Sequence, residues 1–89
     1  MAKFKITVTE NFQDNFGKLS QKEQTLVERK VELLSENPSH PSLRCKRVEG
    51  KSGYFECSVN MDIRMIWRYE AGRIIVILDI GHHDIFRKY

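Results

Sequence analysis

The sequence predicts an α+β domain of two layers, a β-strand and a two-helix hairpin followed by a four-stranded antiparallel sheet. Three observations carry that reading. Apolar residues recur at helical spacing only in the first half of the 89-residue chain. The second half changes to strand-like segments with period-two alternation. The connections between those later segments are short, which favours antiparallel neighbours.

The elements follow in order. Phe4, Ile6 and Val8 alternate with Lys3, Lys5 and Thr7, as a half-buried strand requires. Phe12, Phe16 and Leu19 then recur at helical spacing, and the first helix ends near Gly17-Lys18. Ser20 and Glu23 form a Ser-x-x-Glu capping box, in which each side chain satisfies the other's orphan backbone donor. Leu26, Val27, Val31, Leu33 and Leu34 supply the apolar stripe of the second helix, and Asn37-Pro38 stops it. Strands are expected over Arg44 to Val48, Tyr54 to Val59, Asp62 to Tyr69 and Arg73 to Ile80. Helices grouped on one side of such a meander make two layers.

Composition bounds the rest. A chain of this length, 40% hydrophobic and 30% charged, is a single domain over residues 1–89 with a thin core. Fifteen Lys and Arg against twelve Asp and Glu give a formal net charge of +3, compatible with nucleic-acid binding without demanding it. The amino terminus reads as a strand rather than a signal peptide, and no run approaches the ~20 apolar residues of a membrane span. The expected location is the cytoplasm, without membrane contact. Cys45 and Cys57 read as reduced, small apolar residues, with a disulfide left open.

Alternation also assigns faces. Phe55, Cys57 and Val59 oppose Tyr54, Glu56 and Ser58 on one strand; Ile63, Met65, Trp67 and Tyr69 oppose Arg64, Ile66 and Arg68 on the next. Covering the apolar set with helices leaves Arg64 and Arg68 on the open face, about 7 Å apart. Asp79 is expected to share that face, and His83 with it if the strand stays extended through Gly81. Paired guanidinium groups suit phosphate through their planar forks; the bland alternative is a solvated face with Glu56 as cross-strand partner. His82-His83-Asp84 offers a general acid or base, a metal ligand or a structural pair capping the sheet. Adjacent strand residues point to opposite faces, which works against one metal ion holding both histidines, and no third ligand stands at suitable spacing. His40-Pro41 reads as structural. Arg44, Lys46, Arg47 and Lys51 form a modest basic rim, with Arg87 and Lys88 adding charge at the carboxy terminus. Tyr54, Phe86 and Tyr89 are candidates to stack on bases, with packing at a sheet edge the alternative for Tyr54 and Phe86. No glycine-rich phosphate loop or nucleophile arrangement is present, and neither a metal nor a small-molecule cofactor is expected.

Three stretches give the chain a resemblance to a known family. They are Asn37-Pro38-Ser39-His40-Pro41-Ser42-Leu43, then the run from Gly53-Tyr54-Phe55 through Arg64-Met65-Ile66-Trp67-Arg68, and Leu78-Asp79-Ile80-Gly81-His82-His83-Asp84. In that order, the chain resembles the RelE/ParE superfamily of toxins from bacterial type II toxin–antitoxin pairs. The resemblance implies a RelE-like fold and an mRNA interferase, a metal-independent endoribonuclease that cuts mRNA in the ribosomal A site and so inhibits translation. There the ribose 2′-hydroxyl attacks the neighbouring phosphate and leaves a cyclic phosphate. By the same resemblance Arg64 is the cation for the phosphorane and His83 the acid or base. Asp84 would orient a histidine, Phe86 stack a base, and Glu56 serve as an alternative base. Arg44, Lys46, Arg47, Lys51, Arg68, Arg87 and Lys88 are candidates for RNA contact. Relatives that cut strongly often place Lys or Arg where Glu56 and Ser58 stand, and a basic residue where Met61 stands. The implied partners are a cognate antitoxin, the ribosome and mRNA. The alternatives within the superfamily are a ParE-like toxin that inhibits DNA gyrase without cutting RNA, and a toxin that only binds its antitoxin. Gyrase-directed relatives lack the carboxy-terminal histidine.

Overall fold

The computed structural model describes residues 3–82. Two helices and one five-stranded sheet make up the fold. β1 (Lys5–Val8) leads into α1 (Glu10–Gly17) and α2 (Gln21–Glu36). A single 3₁₀ turn, Pro41–Leu43, then precedes β2 (Lys46–Arg47), β3 (Tyr54–Ser58), β4 (Ile63–Glu70) and β5 (Ile74–His82). The sheet order is β1-β5-β4-β3-β2. The last four strands form the expected antiparallel meander, while β1 runs parallel to β5 and so becomes one edge of the same sheet.

Local chemistry explains each boundary. The Thr9 side chain caps α1 by accepting from the Phe12 N–H at 3.1 Å. Ser20 and Glu23 complete the capping box on α2, with the Ser20 N–H donating to Glu23 Oε1 at 2.9 Å and the Glu23 N–H to Ser20 Oγ at 3.2 Å. Asn37 ends that helix, ahead of Pro38. The 3₁₀ turn is held by His40, whose Nδ1 accepts from the Ser42 N–H at 3.1 Å, and by Leu43, which is wholly buried. His40 is therefore structural, as its place in the sequence suggests.

Helices and sheet share one core. Phe12, Val27 and Leu34 meet Ile63, Met65, Trp67, Ile75, Ile77 and Ile80, and Cys57 and Val59 close the β3 side. Burial of such aliphatic and aromatic surface stabilises the fold by roughly 1.5–3 kcal/mol per fully buried side chain. A smaller cluster of Val48 and Ile66, with Tyr54 and Leu78 packed against it, lies on the opposite face of the sheet. Tyr69, expected under the helices, is half exposed at 46% and instead packs its ring on Phe4, Phe55 and Trp67.

Two expectations are corrected. The strand expected over Arg44 to Val48 is only two residues long. Arg44 adopts φ +50° and Gly50 φ +79°, so the chain bends away on both sides. Asp79 does not stand on the open face. β4 pairs Ile66 with Asp79 but Trp67 with Ile77, so Leu78 is an extra residue in β5. That bulge re-aims the next side chain. Asp79 is wholly buried, and its Oδ1 accepts from Asn15 Nδ2 of α1 at 2.7 Å. Beyond the bulge β5 stays extended through Gly81, which pairs with Arg64, to His82, which pairs with Ile63.

Candidate functional site

The β3–β4 turn builds the site. Asn60 Oδ1 accepts from the backbone N–H groups of Asp62 and Ile63, each at 2.8 Å, and the Val59 N–H donates to Ile63 O at 2.9 Å, which together fix the turn. Arg64 follows immediately, opposite Ser58 in the ladder. Its Nη1 donates to Asn60 O at 2.6 Å and to Ile63 O at 3.2 Å. Those two bonds orient a guanidinium whose Nε and Nη2 meet no acceptor among the described residues.

Arg44 approaches from the other side. Its left-handed backbone ends the Pro41–Leu43 turn, and its N–H donates to Pro41 O at 3.1 Å. Arg44 and Arg64 thereby line one open cavity of about 340 Å³, together with Ser42, Ser58, Val59, Asn60 and Met61. Among the described residues, two arginines, two serines and an asparagine line this space, with no carboxylate beside them. Such a concave, cationic, hydroxyl-rated surface is suited to a phosphate-type anion.

The other candidates separate. Glu56 pairs with Lys46 at 3.7 Å rather than with Arg64 or Arg68. Arg68 stands opposite Tyr54, towards the far end of the strand, and pairs with Glu70 at 3.3 Å. Lys46 shares the face of Glu56, whereas Arg47 is on the helix-facing side, with its guanidinium 5.7 Å from the centre of the Phe55 ring. Lys51 lies exposed in the β2–β3 turn. His82 pairs with Ile63 and so faces away from Arg64. His83, Asp84, Phe86, Arg87 and Lys88 lie outside the described residues. Ser42 and Asn60 are the site residues that alternation missed. Asn60 was readable as turn chemistry, but only the 3₁₀ turn brings Ser42 to the same cavity. Among the described residues no group of three or more His, Cys, Asp or Glu is placed to hold a metal ion.

Comparison with known proteins adds the following. The family model described as "ParE toxin of type II toxin-antitoxin system, parDE" matches residues 7–85. No curated protein sequence matches the chain. Among solved structures, the archaeal RelE–RelB complex from Pyrococcus horikoshii OT3 superposes with a TM-score of 0.78 at 13% identity, covering 93% of this chain and 98% of that one. The toxin–antitoxin complex RelBE2 from Mycobacterium tuberculosis gives 0.77 at 20% identity, covering 93% and 94%. The E. coli DinJ–YafQ toxin–antitoxin complex gives 0.73 at 18% identity, covering 92% and 94%. At these identities the likeness is one of fold.

Proposed function

The chain belongs to the ParE toxin family of type II toxin–antitoxin systems, and we propose that it acts as a ribosome-dependent mRNA endoribonuclease. The observation that carries this reading is the cavity shared by Arg44 and Arg64, with the unbonded edge of the Arg64 guanidinium available to a phosphate. Attack of a ribose 2′-hydroxyl on the adjacent phosphate builds negative charge on the phosphorane oxygens. Arg64, already oriented by two carbonyls, would neutralise that charge without reorganising, and Arg44 would hold the phosphate against it. Ser42 and Ser58 offer further donors. The proton leaving the 2′-hydroxyl and the one reaching the departing 5′-oxygen are assigned to His83 with Asp84, a role typically worth ~10²–10⁴-fold in rate. The pairing of Gly81 with Arg64 supports this, because β5 leads out beside the cavity. Phe86 would stack a base. Glu56, engaged by Lys46, is the alternative base; Lys46, Arg68, Arg87 and Lys88 would contact the RNA backbone. No metal or cofactor is required, and the protein partner is a cognate antitoxin, as in the RelE–RelB, RelBE2 and DinJ–YafQ complexes.

A second reading is favoured by a different observation: the matching family is the ParE toxin, and among the described residues the cavity lining holds no histidine, cysteine or carboxyl side chain. On that reading the cationic cavity serves contact with DNA gyrase. Primer extension on an mRNA translated in a cell-free bacterial system separates the two. Wild type is expected to cut within A-site codons. Folded Arg64→Ala is expected to lose ~10²–10³-fold in cutting, and His83→Ala to lose it comparably. Absence of cuts, together with inhibited supercoiling by purified gyrase, would transfer the assignment to the second reading. Retained cutting by Arg64→Ala would remove the arginine from the mechanism.

A further inference from the structure

We propose that Cys45 and Cys57 are a redox couple, two neighbouring thiols that a hydroperoxide closes into a reversible intramolecular disulfide. The placement comes from the ladder. β2 and β3 pair Lys46 with Glu56 and Arg47 with Phe55. Continued one residue further along each chain, that register sets Cys45 opposite Cys57, on the face that carries Phe55. Both sulfur-bearing side chains belong to the main core, Cys57 buried to 1% exposure and Cys45 partly buried against it. Residues directly opposed in an antiparallel pair have Cα atoms ~4.5–5.5 Å apart. That separation lies within the ~4.4–6.8 Å range that a disulfide spans.

The two thiols differ in access and in chemistry. Cys45 lines a second open cavity, of about 390 Å³, with Phe55, Trp67 and Tyr69 as its aromatic wall. A small oxidant can reach it there. Cys57 sits behind it, in the core. Hydrogen bonding from the Cys57 thiol draws the Cys45 thiol below its ordinary range, overcoming the opposing effect of burial. The buried Trp67 indole beside it pulls in the same direction. Hydrogen bonding between Cys57 and Cys45, and then burial, push the Cys57 thiol well above its ordinary range. The accessible thiol is thus the one more readily ionised, as an attacking cysteine requires.

The reaction balances with a hydroperoxide as oxidant. The Cys45 thiolate attacks the peroxide oxygen, the O–O bond breaks, and the departing oxygen takes a proton and leaves as water or an alcohol. Cys45 is then a sulfenic acid. The Cys57 sulfur attacks the Cys45 sulfur, the S–S bond forms, the S–O bond breaks, and the hydroxide leaves as water with the Cys57 proton. Two thiols have given up two electrons and the peroxide has accepted them. Disulfides in a reducing compartment are usually transient and of this redox-responsive kind. The link would fasten the two-residue edge strand β2 to β3, one residue from Arg44.

Intact-mass measurement on the full chain tests this. Fully reduced protein is treated with one equivalent of hydrogen peroxide and then alkylated with iodoacetamide. The expected product is a monomer lighter by two hydrogens, with neither thiol alkylated, that dithiothreitol returns to the dithiol. Cys57→Ser and Cys57→Ala are expected to stop at a sulfenic acid on Cys45, trapped by dimedone, and Cys45→Ser to react at least ~10-fold more slowly than wild type. Two alkylated thiols after peroxide, a disulfide-linked dimer, or over-oxidised Cys45 beside an alkylatable Cys57 would each overturn the proposal. The wild-type result decides even if a Cys57 variant fails to fold.

Discussion

A carboxylate with no exposed surface must be held by donors, and Asp79 accepts from Asn15 Nδ2 at 2.7 Å and from the Ile80 N–H at 2.8 Å. Asn15→Ala removes a donor from a buried charged group, so a loss of ~1.5–3 kcal/mol in urea unfolding is expected. Gln13→Ala, on an exposed position of the same helix, should stay within ~0.5 kcal/mol of wild type. Equal effects from the two substitutions would show that the Asn15–Asp79 bond contributes nothing to stability. Arg64 differs in kind: its guanidinium is bonded to its own hairpin and contributes its free edge to the cavity, so Arg64→Ala is expected to fold and to lose growth arrest on expression. Arg64 was legible in the sequence because it stands as the one charged residue between the apolar Ile63 and Met65, whose set Trp67 continues. Asp79 was not. The bulge at Leu78 interrupts a run, Ile74 to Leu78, in which every residue is apolar, so no alternation marks where the parity changes.

Among the elements, α2 carries the clearest written instruction, and its consequence is dependent on pH. Hydrogen bonds from the Ser20 backbone N–H, and then from its side chain, hold the Glu23 carboxyl below the ordinary glutamate value of 4.5. A carboxyl whose folded value is depressed stabilises the folded state at pH above its unfolded value. That contribution is lost as pH falls through the lowered folded value. Carbon-detected NMR titration should therefore place the Glu23 midpoint below 4.5, with the Ser20 amide proton shifting at the same midpoint. In Glu23→Gln the amide oxygen still accepts, and the Ser20 shift should lose that titration step. A Glu23 midpoint at or above the ordinary value would mean the box is open in solution. The capping box of α2, the ends of both helices and the antiparallel order of β2 to β5 were readable because each has a local signal in its own residues, whereas the Thr9 cap of α1 was not read. The shortness of β2 was not, because it depends on a left-handed Arg44 that no glycine or asparagine announces. The Pro41–Leu43 turn, which carries Ser42 and Arg44 to the cavity, was hidden for the same reason.

At the scale of the whole molecule the chain closes on itself. β1 lies along β5 in parallel, Thr9 Oγ1 donates to Leu78 O at 2.6 Å across 69 residues, and the Lys3 and Phe4 N–H groups both donate to Ser35 O at 3.0 Å. Parallel pairing has no hairpin turn to advertise it, so the sequence marked β1 as a strand without saying where it docks. Its placement matters for cooperativity. Helices, first strand and meander bury their apolar faces in one core, so neither half retains a complete core without the other. Unfolding is therefore expected to be a single transition. Far-UV circular dichroism reads mainly the two helices. The fluorescence of Trp67, the one tryptophan in the chain, reads the β3–β4 side of the core, where its ring stacks 4.8 Å from Phe55. The two probes should give superimposable urea curves with the same midpoint. An earlier loss of ellipticity, with Trp67 still buried, would mean that the meander holds its shape without α1, α2 and β1. The cavity between Arg44 and Arg64 would then be a property of the meander and the preceding turn alone.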